Sequence, residues 1–308
     1  KPSELKSTFN DLKYQLDAIK KGLSIVEQHN GVLIADVVGL GKSIVASLIA
    51  YNLKQKYNSD SKHVVISIIT PPTLRNQWEN YSNLFRLDAK IESIGKLDNH
   101  KKMLDTIENY EHIVIIDEAH RFRNENVELY EKAKLICVGA KVILLSATPF
   151  NNSPSDLFSL IKLFQLPGAS TIRSVDNLMN EFIHLIKTYK EVREKISKNS
   201  KNALLKSSEQ NIDIKQRYAS QLESINVKLK DILRPITIRR SRLDLERIDS
   251  YKKDLVSQGI SFPKVNDPEI LEYDLSAHLE MYKDTIPKLS INISDSKNTD
   301  EVDPDTFN

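Results

Sequence analysis

Two hydrophobic patterns alternate over the first 150 positions of the chain. Five short runs are rich in Val and Ile, and several of them are apolar at consecutive positions, which is typical of strands buried on both faces of a parallel sheet. These runs are Val32–Ala35, His63–Thr70, Ile91–Ile94, His112–Asp117 and Lys141–Ala147. Between them lie segments with helical patterning, near Asn10–Gln28, Ser43–Lys56, Thr73–Leu84, Lys96–Asn109 and Asn124–Val138. The alternation predicts a doubly wound α/β domain with a mostly parallel central sheet flanked by helices.

The pattern changes after residue 150. Asp156–Gln165 is predicted as a helix, and residues 171–235 as a helical insertion without a clear strand. From 170 to 235 the chain has 13 Lys and Arg against 8 Asp and Glu, so this insertion is modestly basic. Strands are predicted again at Ile236–Arg240 and Glu269–Leu275, with a helix from Ser276. We therefore expect a core over 1–170, the insertion over 171–235, a return to the core over 236–289, and a polar linker or tail over 290–308.

Composition excludes several classes of protein. Among 308 residues, 40% are hydrophobic and 28% charged, as in an ordinary soluble protein. A net charge of +2 is too small to identify a nucleic-acid binder, so such contacts would have to come from local patches. The single cysteine, Cys137, excludes an intrachain disulfide framework. No apolar run is long enough to cross a membrane and no signal peptide is evident, so we expect an intracellular, cytoplasmic protein of bacterial or nucleoid-associated type and no membrane partner.

A glycine-rich turn, Gly39-Leu40-Gly41-Lys42-Ser43, follows the first predicted strand and precedes a predicted helix. Backbone N–H groups of such a loop surround phosphate oxygens, and the helix N-terminus adds its positive dipole end. Lys42 can reach the β- and γ-phosphates, and the Ser43 hydroxyl can bind Mg²⁺. The turn therefore predicts ATP and Mg²⁺ as cofactors. A glycine turn before an ordinary core helix is the alternative, and Asp36 stands where the general pattern has glycine.

A second polar motif, Asp117-Glu118-Ala119-His120, ends the fourth predicted strand. Asp117 can hold magnesium directly or through water, and Glu118 can orient and deprotonate an attacking water. Ligands of this fold class bind at the carboxyl ends of the strands. Taken alone, the motif could be the polar start of a helix, but the preceding apolar strand and the upstream loop favour catalysis.

These motifs together resemble superfamily-two helicases of the SWI/SNF type. The segment 36–43 is similar to the first motif of that family, which also has aspartate at the position of Asp36. The segment 117–120 is similar to the second motif, and Ser146-Ala147-Thr148-Pro149 to the third. The resemblance implies that His120, Ser146 and Thr148 couple the nucleotide state to nucleic-acid contact. Val37 departs from the usual acidic residue, and Ser43 replaces a threonine while keeping the hydroxyl.

Weaker similarities to other motifs of the family occur along the chain in the order in which the family has them. Tyr14-Gln15 resembles the upstream glutamine that reads adenine, although Gln15 could also be a surface helix residue. The segment 70–78 resembles the stretch that contacts the nucleic-acid backbone, which implies backbone contacts by Thr70, Pro71 and Arg75. Thr70 and Arg75 could instead simply cap and decorate a helix.

Trp78 is better explained by helix packing than by base stacking. The segment 233–240 resembles the stretch after the helical protrusion of the family, where Arg239 and Arg240 are either functional or structural ion-pair partners. The residues from Phe262 to Tyr282 resemble the passage toward a second lobe.

The resemblance implies a RecA-like first lobe of a motor that couples ATP hydrolysis to movement along double-stranded DNA, bound through its backbone. In the family, the arginine finger comes from a second lobe with a Gln-x-x-Gly-Arg-x-x-Arg motif, which this sequence lacks. We therefore expect a partner lobe elsewhere in the full-length chain, and weak or no hydrolysis by this part alone. The alternatives are a strand-separating helicase, a restriction or phage-defence motor subunit, a non-catalytic nucleic-acid scaffold, and a metabolic P-loop kinase. Intact Lys42, Asp117 and Glu118 argue against a scaffold, and the segment 146–149 argues against a kinase.

Overall fold

A computed structural model of the chain describes residues 10–125, 127–147, 153–175, 177–201 and 208–262. The strands within them are β1 (Gly31–Ile34), β2 (His63–Thr70), β3 (Lys90–Ser93), β4 (Tyr110–Ile116), β5 (Lys141–Leu145) and β6 (Thr237–Ile238). They form one sheet in the order β3-β2-β4-β5-β1-β6, and every neighbouring pair is parallel. The predicted α/β class with a parallel sheet is therefore confirmed.

Helices cover the sheet and connect its strands. They are α1 (Lys13–His29), α2 (Lys42–Ser59), α3 (Arg75–Leu84), α4 (Leu97–Leu104), α5 (Glu128–Cys137), α6 (Pro154–Ile161), α7 (Leu178–Lys201), α8 (Ser208–Leu233), α9 (Arg242–Arg247) and α10 (Asp249–Ser257). None of these helices is long and apolar enough to cross a membrane. Between strands they bury the sheet on both faces, which is why β4 has no exposed residue from Ile113 to Ile116.

The sheet brings the ends of three strands together. In the register, Ile34 of β1 lies beside Leu145 of β5, and Leu144 lies beside Ile116 of β4. Because the strands are parallel, the segments that follow β1, β5 and β4 all leave from the same edge. The glycine turn, Ser146 and Asp117 are therefore neighbours at that edge, although they are far apart along the chain.

Two long helices lie within the predicted insertion. Lys228 of α8 pairs with Glu181 of α7 at 3.3 Å, which places the end of one helix beside the start of the other. The pair is attached to the core by apolar contacts, among them Phe182 of α7 stacked on Phe158 of α6 with ring centroids 4.5 Å apart. The helices therefore run antiparallel from a buried base.

Several predicted boundaries are wrong. The helix predicted over Lys96–Asn109 ends at Leu104, and the one predicted over Asn124–Val138 begins only at Glu128. The strand predicted over Ile236–Arg240 is reduced to the two residues of β6, although its backbone continues beside β1 through a bond from Val37 N to Arg240 O of 3.1 Å. Helices α9 and α10 were not predicted. The capping box of Ser241 and Asp244 is the local signal for the first of them.

Some predictions lie outside the described residues. They are the strand over Glu269–Leu275, the helix from Ser276, the tail over 290–308, the resemblance beyond Phe262, and the residues Thr148 and Pro149. The proposed division of the chain at 170, 235 and 289 stays a prediction.

Candidate functional site

The glycine turn has the backbone shape of an anion-binding loop. Gly39 has φ of +91° and Gly41 has φ of +80°, values that side chains strongly disfavour. The 18-residue helix α2 begins directly after the turn, at Lys42. Its first N–H groups therefore face the loop and carry the positive end of the helix dipole. Leu40 is fully buried and anchors the loop on the core.

Lys42 folds back over the start of the turn. Its Nζ donates a hydrogen bond of 2.9 Å to the backbone oxygen of Asp36. Ser43 lies beside it in the first turn of α2 and is half-buried. On the outer side of the loop, Val37 and Val38 are 41% and 66% exposed. The departure at Val37 thus places an apolar side chain at the surface, where the family has an acidic one.

Asp36 forms a buried ion pair that the sequence pattern left open. Its side chain is fully buried and accepts hydrogen bonds from two nitrogens of Arg240, with 3.1 Å from Nε to Oδ1. The third nitrogen of that guanidinium donates to the Tyr14 backbone oxygen, and the guanidinium carbon lies 5.1 Å from the centre of the Tyr14 ring. Arg240 is therefore a structural ion-pair partner, which was one of the two alternatives for it. The pair connects the segment before the glycine turn to α1 and to the residues that follow β6.

Gln15 lies against the same turn. It is 6% exposed, so the alternative of a surface helix residue is wrong. Its Nε2 donates to the Leu40 backbone oxygen at 3.3 Å. A Cβ at position 41 would lie only 2.5 Å from this nitrogen, so a side chain there would displace the Gln15 amide, and the φ angle itself favours glycine. The turn and the predicted adenine-reading residue are therefore in contact.

Asp117 is held by three hydrogen bonds at the end of β4. Its backbone N–H donates to Ile69 O at 2.9 Å, which joins it to β2. Its Oδ1 accepts from the backbone N–H of Glu118 at 2.8 Å, and its Oδ2 accepts from Nε1 of Trp78 at 2.8 Å. Trp78 is 1% exposed, which confirms helix packing and excludes base stacking in this arrangement. The hydrogen bond to Asp117 was not predicted, because the two residues are 39 positions apart.

Glu118 has an unusual backbone. Its φ of +50° and ψ of +47° place it in the left-handed region, which costs free energy for a residue with a side chain. His120 Nδ1 lies 3.1 Å from Glu118 Oε2, and both side chains are about one-third exposed. Glu118 is therefore turned away from the helical path into reach of solvent. The nearby Nδ1 of His120 is buried and makes no hydrogen bond in this arrangement, so the two side chains are close without being hydrogen-bonded.

Ser146 lies between these two parts of the site. It follows β5, is 1% exposed, and its backbone N–H donates to Ile34 O at 3.1 Å. Because β5 separates β1 from β4, Ser146 occupies the position between the glycine turn and Asp117. Its predicted partner in coupling, Thr148, lies outside the described residues.

The three predicted nucleic-acid contacts differ in accessibility. Thr70 and Pro71, at the end of β2, are buried. The Arg75 side chain is 41% exposed and pairs with Glu79 at 3.0 Å and Glu92 at 3.5 Å. Of the three, Arg75 alone reaches the surface in this arrangement, and the nucleic-acid role of all three stays a prediction.

The parallel sheet, the glycine turn and the carboxylates at the same edge together define a P-loop α/β lobe. The family can be specified further. Residues 81–302 match the SNF2-related domain, and the chain belongs to that family. The match includes the motifs at 117–120 and 146–149, whereas the glycine turn lies before it. The predicted SWI/SNF type is thereby confirmed.

Relatives support the same assignment. An uncharacterized ATP-dependent helicase of Bacillus subtilis, YqhH, is 31% identical over 179 residues, which are 52% of this chain and 30% of that protein. The ATP-dependent DNA helicase DDM1 of Arabidopsis thaliana is 28% identical over 299 residues, which are 86% of this chain and 35% of that protein. The chain thus spans about a third of the length of these two relatives.

A solved structure has the same fold. The SWI2/SNF2 ATPase core of Sulfolobus solfataricus in complex with double-stranded DNA superimposes with a TM-score of 0.53 at 18% identity. The superposition covers 93% of this chain and 54% of that one. It extends the similarity in fold to the part of the chain that precedes the family match.

Proposed function

We propose that the chain is the ATP-binding first lobe of a motor that moves along double-stranded DNA. The observation that carries the proposal is the meeting of two motifs at one sheet edge: the glycine turn with Lys42 after β1, and Asp117 with Glu118 after β4. A phosphate cradle beside paired carboxylates is the arrangement that nucleotide hydrolysis needs. Membership of the SNF2-related family and relatives named as ATP-dependent helicases support it.

In this proposal the turn binds the phosphates. Backbone N–H groups of 39–43 and the Lys42 ammonium, which now donates to a backbone oxygen, would instead donate to phosphate oxygens. Gln15 would read adenine from its place against the turn.

The donors near the turn fit magnesium. Ser43 and Asp117 offer the oxygen ligands that Mg²⁺ prefers. Among the residues that the structure describes, no three or more His, Cys, Asp or Glu side chains form a group that could hold a metal ion. We infer that magnesium enters with the nucleotide and keeps water ligands. When bound, it would neutralise charge on the phosphates.

Glu118 is the proposed general base. Its left-handed backbone turns the carboxylate toward solvent, where it could orient a water and accept its proton. His120, whose Nδ1 lies 3.1 Å from the Glu118 carboxylate, would orient that carboxylate and respond to the nucleotide state of the site. Ser146, between the two halves of the site, and Thr148 are the proposed coupling residues.

DNA contact and turnover would need more than this lobe. Arg75 is the accessible one of the three proposed backbone contacts, and contact through the buried Thr70 and Pro71 would require neighbouring segments to rearrange. Phosphate contacts make binding salt-sensitive and largely independent of sequence. A second lobe of the full-length chain would supply the arginine that stabilises the transition state.

Nucleotide binding by the chain itself tests the first part of the proposal. The wild-type chain should bind a fluorescent ATP analogue, and Lys42→Ala should weaken binding strongly. The full-length protein should then hydrolyse ATP with stimulation by duplex DNA. Glu118→Gln should abolish turnover and spare ATP binding, and Glu246→Gln, at an exposed position, should change neither. Full turnover by Glu118→Gln would remove Glu118 from its role.

The kind of motor requires a separate assay. A translocase should displace the third strand of a triplex without separating the duplex beneath it. Release of single strands from a plain duplex would instead favour the strand-separating alternative. DNA binding without any ATP hydrolysis would favour the scaffold alternative.

A further inference from the structure

Trp78 connects the helix after β2 to the proposed magnesium ligand. It is the single tryptophan of the chain and is 1% exposed. A buried indole N–H needs an acceptor, and here the acceptor is Oδ2 of Asp117 at 2.8 Å. The bond is charge-assisted, because the acceptor is a carboxylate, and is therefore stronger than a neutral hydrogen bond.

The two oxygens of Asp117 are held from different directions. Oδ1 accepts from the backbone N–H of Glu118, which is tied to the strand that carries it. Oδ2 accepts from Nε1 of Trp78, which lies on α3 and not on the strand that carries Asp117. The backbone bond alone leaves the carboxylate free to rotate about it, and the second bond removes that freedom.

Packing holds the indole in place. Trp78 lies on α3, and its ring meets Tyr81 edge to face with centroids 5.8 Å apart. Tyr81 in turn packs against Phe85 at 6.0 Å. A donor on such a supported ring can orient a ligand more narrowly than a flexible side chain can. Arg75 begins the same helix, so a displacement of α3 at its exposed start would move this donor.

We propose that Trp78 is a positioning residue: its indole N–H orients the Asp117 carboxylate for magnesium. The inference rests on the proposed function, because it takes Asp117 as the ligand. Partners that orient a metal ligand typically change metal affinity 10- to 100-fold when they are replaced. A tryptophan that only fills the core would not affect magnesium in this selective way.

Trp78→Phe separates the two roles, because phenylalanine keeps an aromatic ring and lacks the N–H donor. We expect affinity for ATP with Mg²⁺ to fall about 10- to 100-fold, and affinity for ATP in EDTA to stay within about twofold. Tyr81→Phe is the matched control. It removes a polar atom of the adjacent ring, the acceptor of a hydrogen bond from Gln77, and should bind as wild type under both conditions. Far-UV circular dichroism checks that each variant is folded.

The wild-type chain offers a second measurement that does not depend on any variant folding. Because Trp78 is the only tryptophan, its emission reports directly on the hydrogen bond to Asp117. Adding Mg²⁺ to the ATP complex should change the emission saturably, and adding Mg²⁺ to the Asp117→Asn variant with ATP should not.

The possible failures are distinguishable. A wild-type chain that bound no nucleotide, or a Lys42→Ala variant that bound it normally, would overturn the proposed function and this inference with it. Normal nucleotide binding, combined with unchanged magnesium dependence in Trp78→Phe, would overturn the inference alone. An emission that stayed constant on addition of Mg²⁺ to the wild-type ATP complex would do the same.

Discussion

Replacing Arg240 by methionine should destabilise the lobe more than a typical substitution. Asp36 is fully buried, and the Arg240 side chain is 11% exposed. All three guanidinium nitrogens donate hydrogen bonds, two to Asp36 and one to the Tyr14 backbone oxygen. Methionine would fill much of the volume but donate none of these bonds. A carboxylate would remain buried without its counter-charge.

The expected loss can be derived from this arrangement. Removing one member of a buried pair costs about 3–5 kcal/mol, mostly because the remaining charge stays desolvated. Against a typical unfolding free energy of about 5–15 kcal/mol, that is a large fraction. At about 2–4 °C per kcal/mol for a domain of this size, the midpoint of thermal unfolding should fall by roughly 6–20 °C.

Thermal and urea denaturation followed by circular dichroism measure the effect. The double variant Asp36→Asn, Arg240→Met removes both charges and should recover part of the loss, since no carboxylate is left unpaired. Arg239→Met, at the exposed neighbouring position, should cost at most about 1 kcal/mol. A loss below about 1 kcal/mol for Arg240→Met, or a double variant less stable than the single one, would refute the reasoning.

Two other predictions concern a buried histidine and the glycine turn. Burial lowers the pKa of His112 from 6.5 to about 4. The His112 imidazole therefore binds a proton more tightly in the unfolded chain than in the folded one. The free energy of unfolding should accordingly decrease as the pH falls from about 6.5 toward 4. Between pH 8 and 5 this contributes about 2 kcal/mol to the loss of stability. Burial also lowers the pKa of His100 and His29, so urea denaturation should show a smaller loss in His112→Gln than in wild type, not the absence of one. His63→Gln, at an exposed strand end, should lose as much as wild type, and equal pH dependence in all three proteins would contradict the prediction. Gly41→Ala should cost about 1–3 kcal/mol in thermal unfolding, because φ is +80° there and the new Cβ would displace the Gln15 amide. Gly95→Ala, with open space around it, should be nearly neutral, and similar losses in the two variants would contradict a strained backbone at position 41.

The sheet was predictable where strands are buried on both faces. The boundaries of β2 match the predicted run His63–Thr70, because its long apolar sequence must be buried on both faces of the sheet. Strands β3 and β6 are the two outermost strands of the sheet, are short, and were predicted with shifted or longer limits. The hydrophobic pattern is weaker in an outermost strand, since packing there constrains fewer side chains.

The chemical motifs were also local. A glycine turn after a strand, with Lys42 next to the helix start, and the carboxylates Asp117 and Glu118 at a strand end are each readable within a few residues. The roles proposed for them follow from residue type and from the element that carries them, so one stretch of sequence is sufficient to predict them.

The connections among those motifs were decided by tertiary structure. Asp36 and Arg240 are 204 positions apart, and Trp78 and Asp117 are 39 apart. Such pairs depend on which strands become neighbours and on how helices pack across them. By itself the sequence determined the main strands and helices of the core, the parallel sheet and the residue types at each strand end, because these rest on local patterns. Only the folded arrangement decided which buried polar group satisfies which other, because that free energy exists only once distant segments have excluded water together.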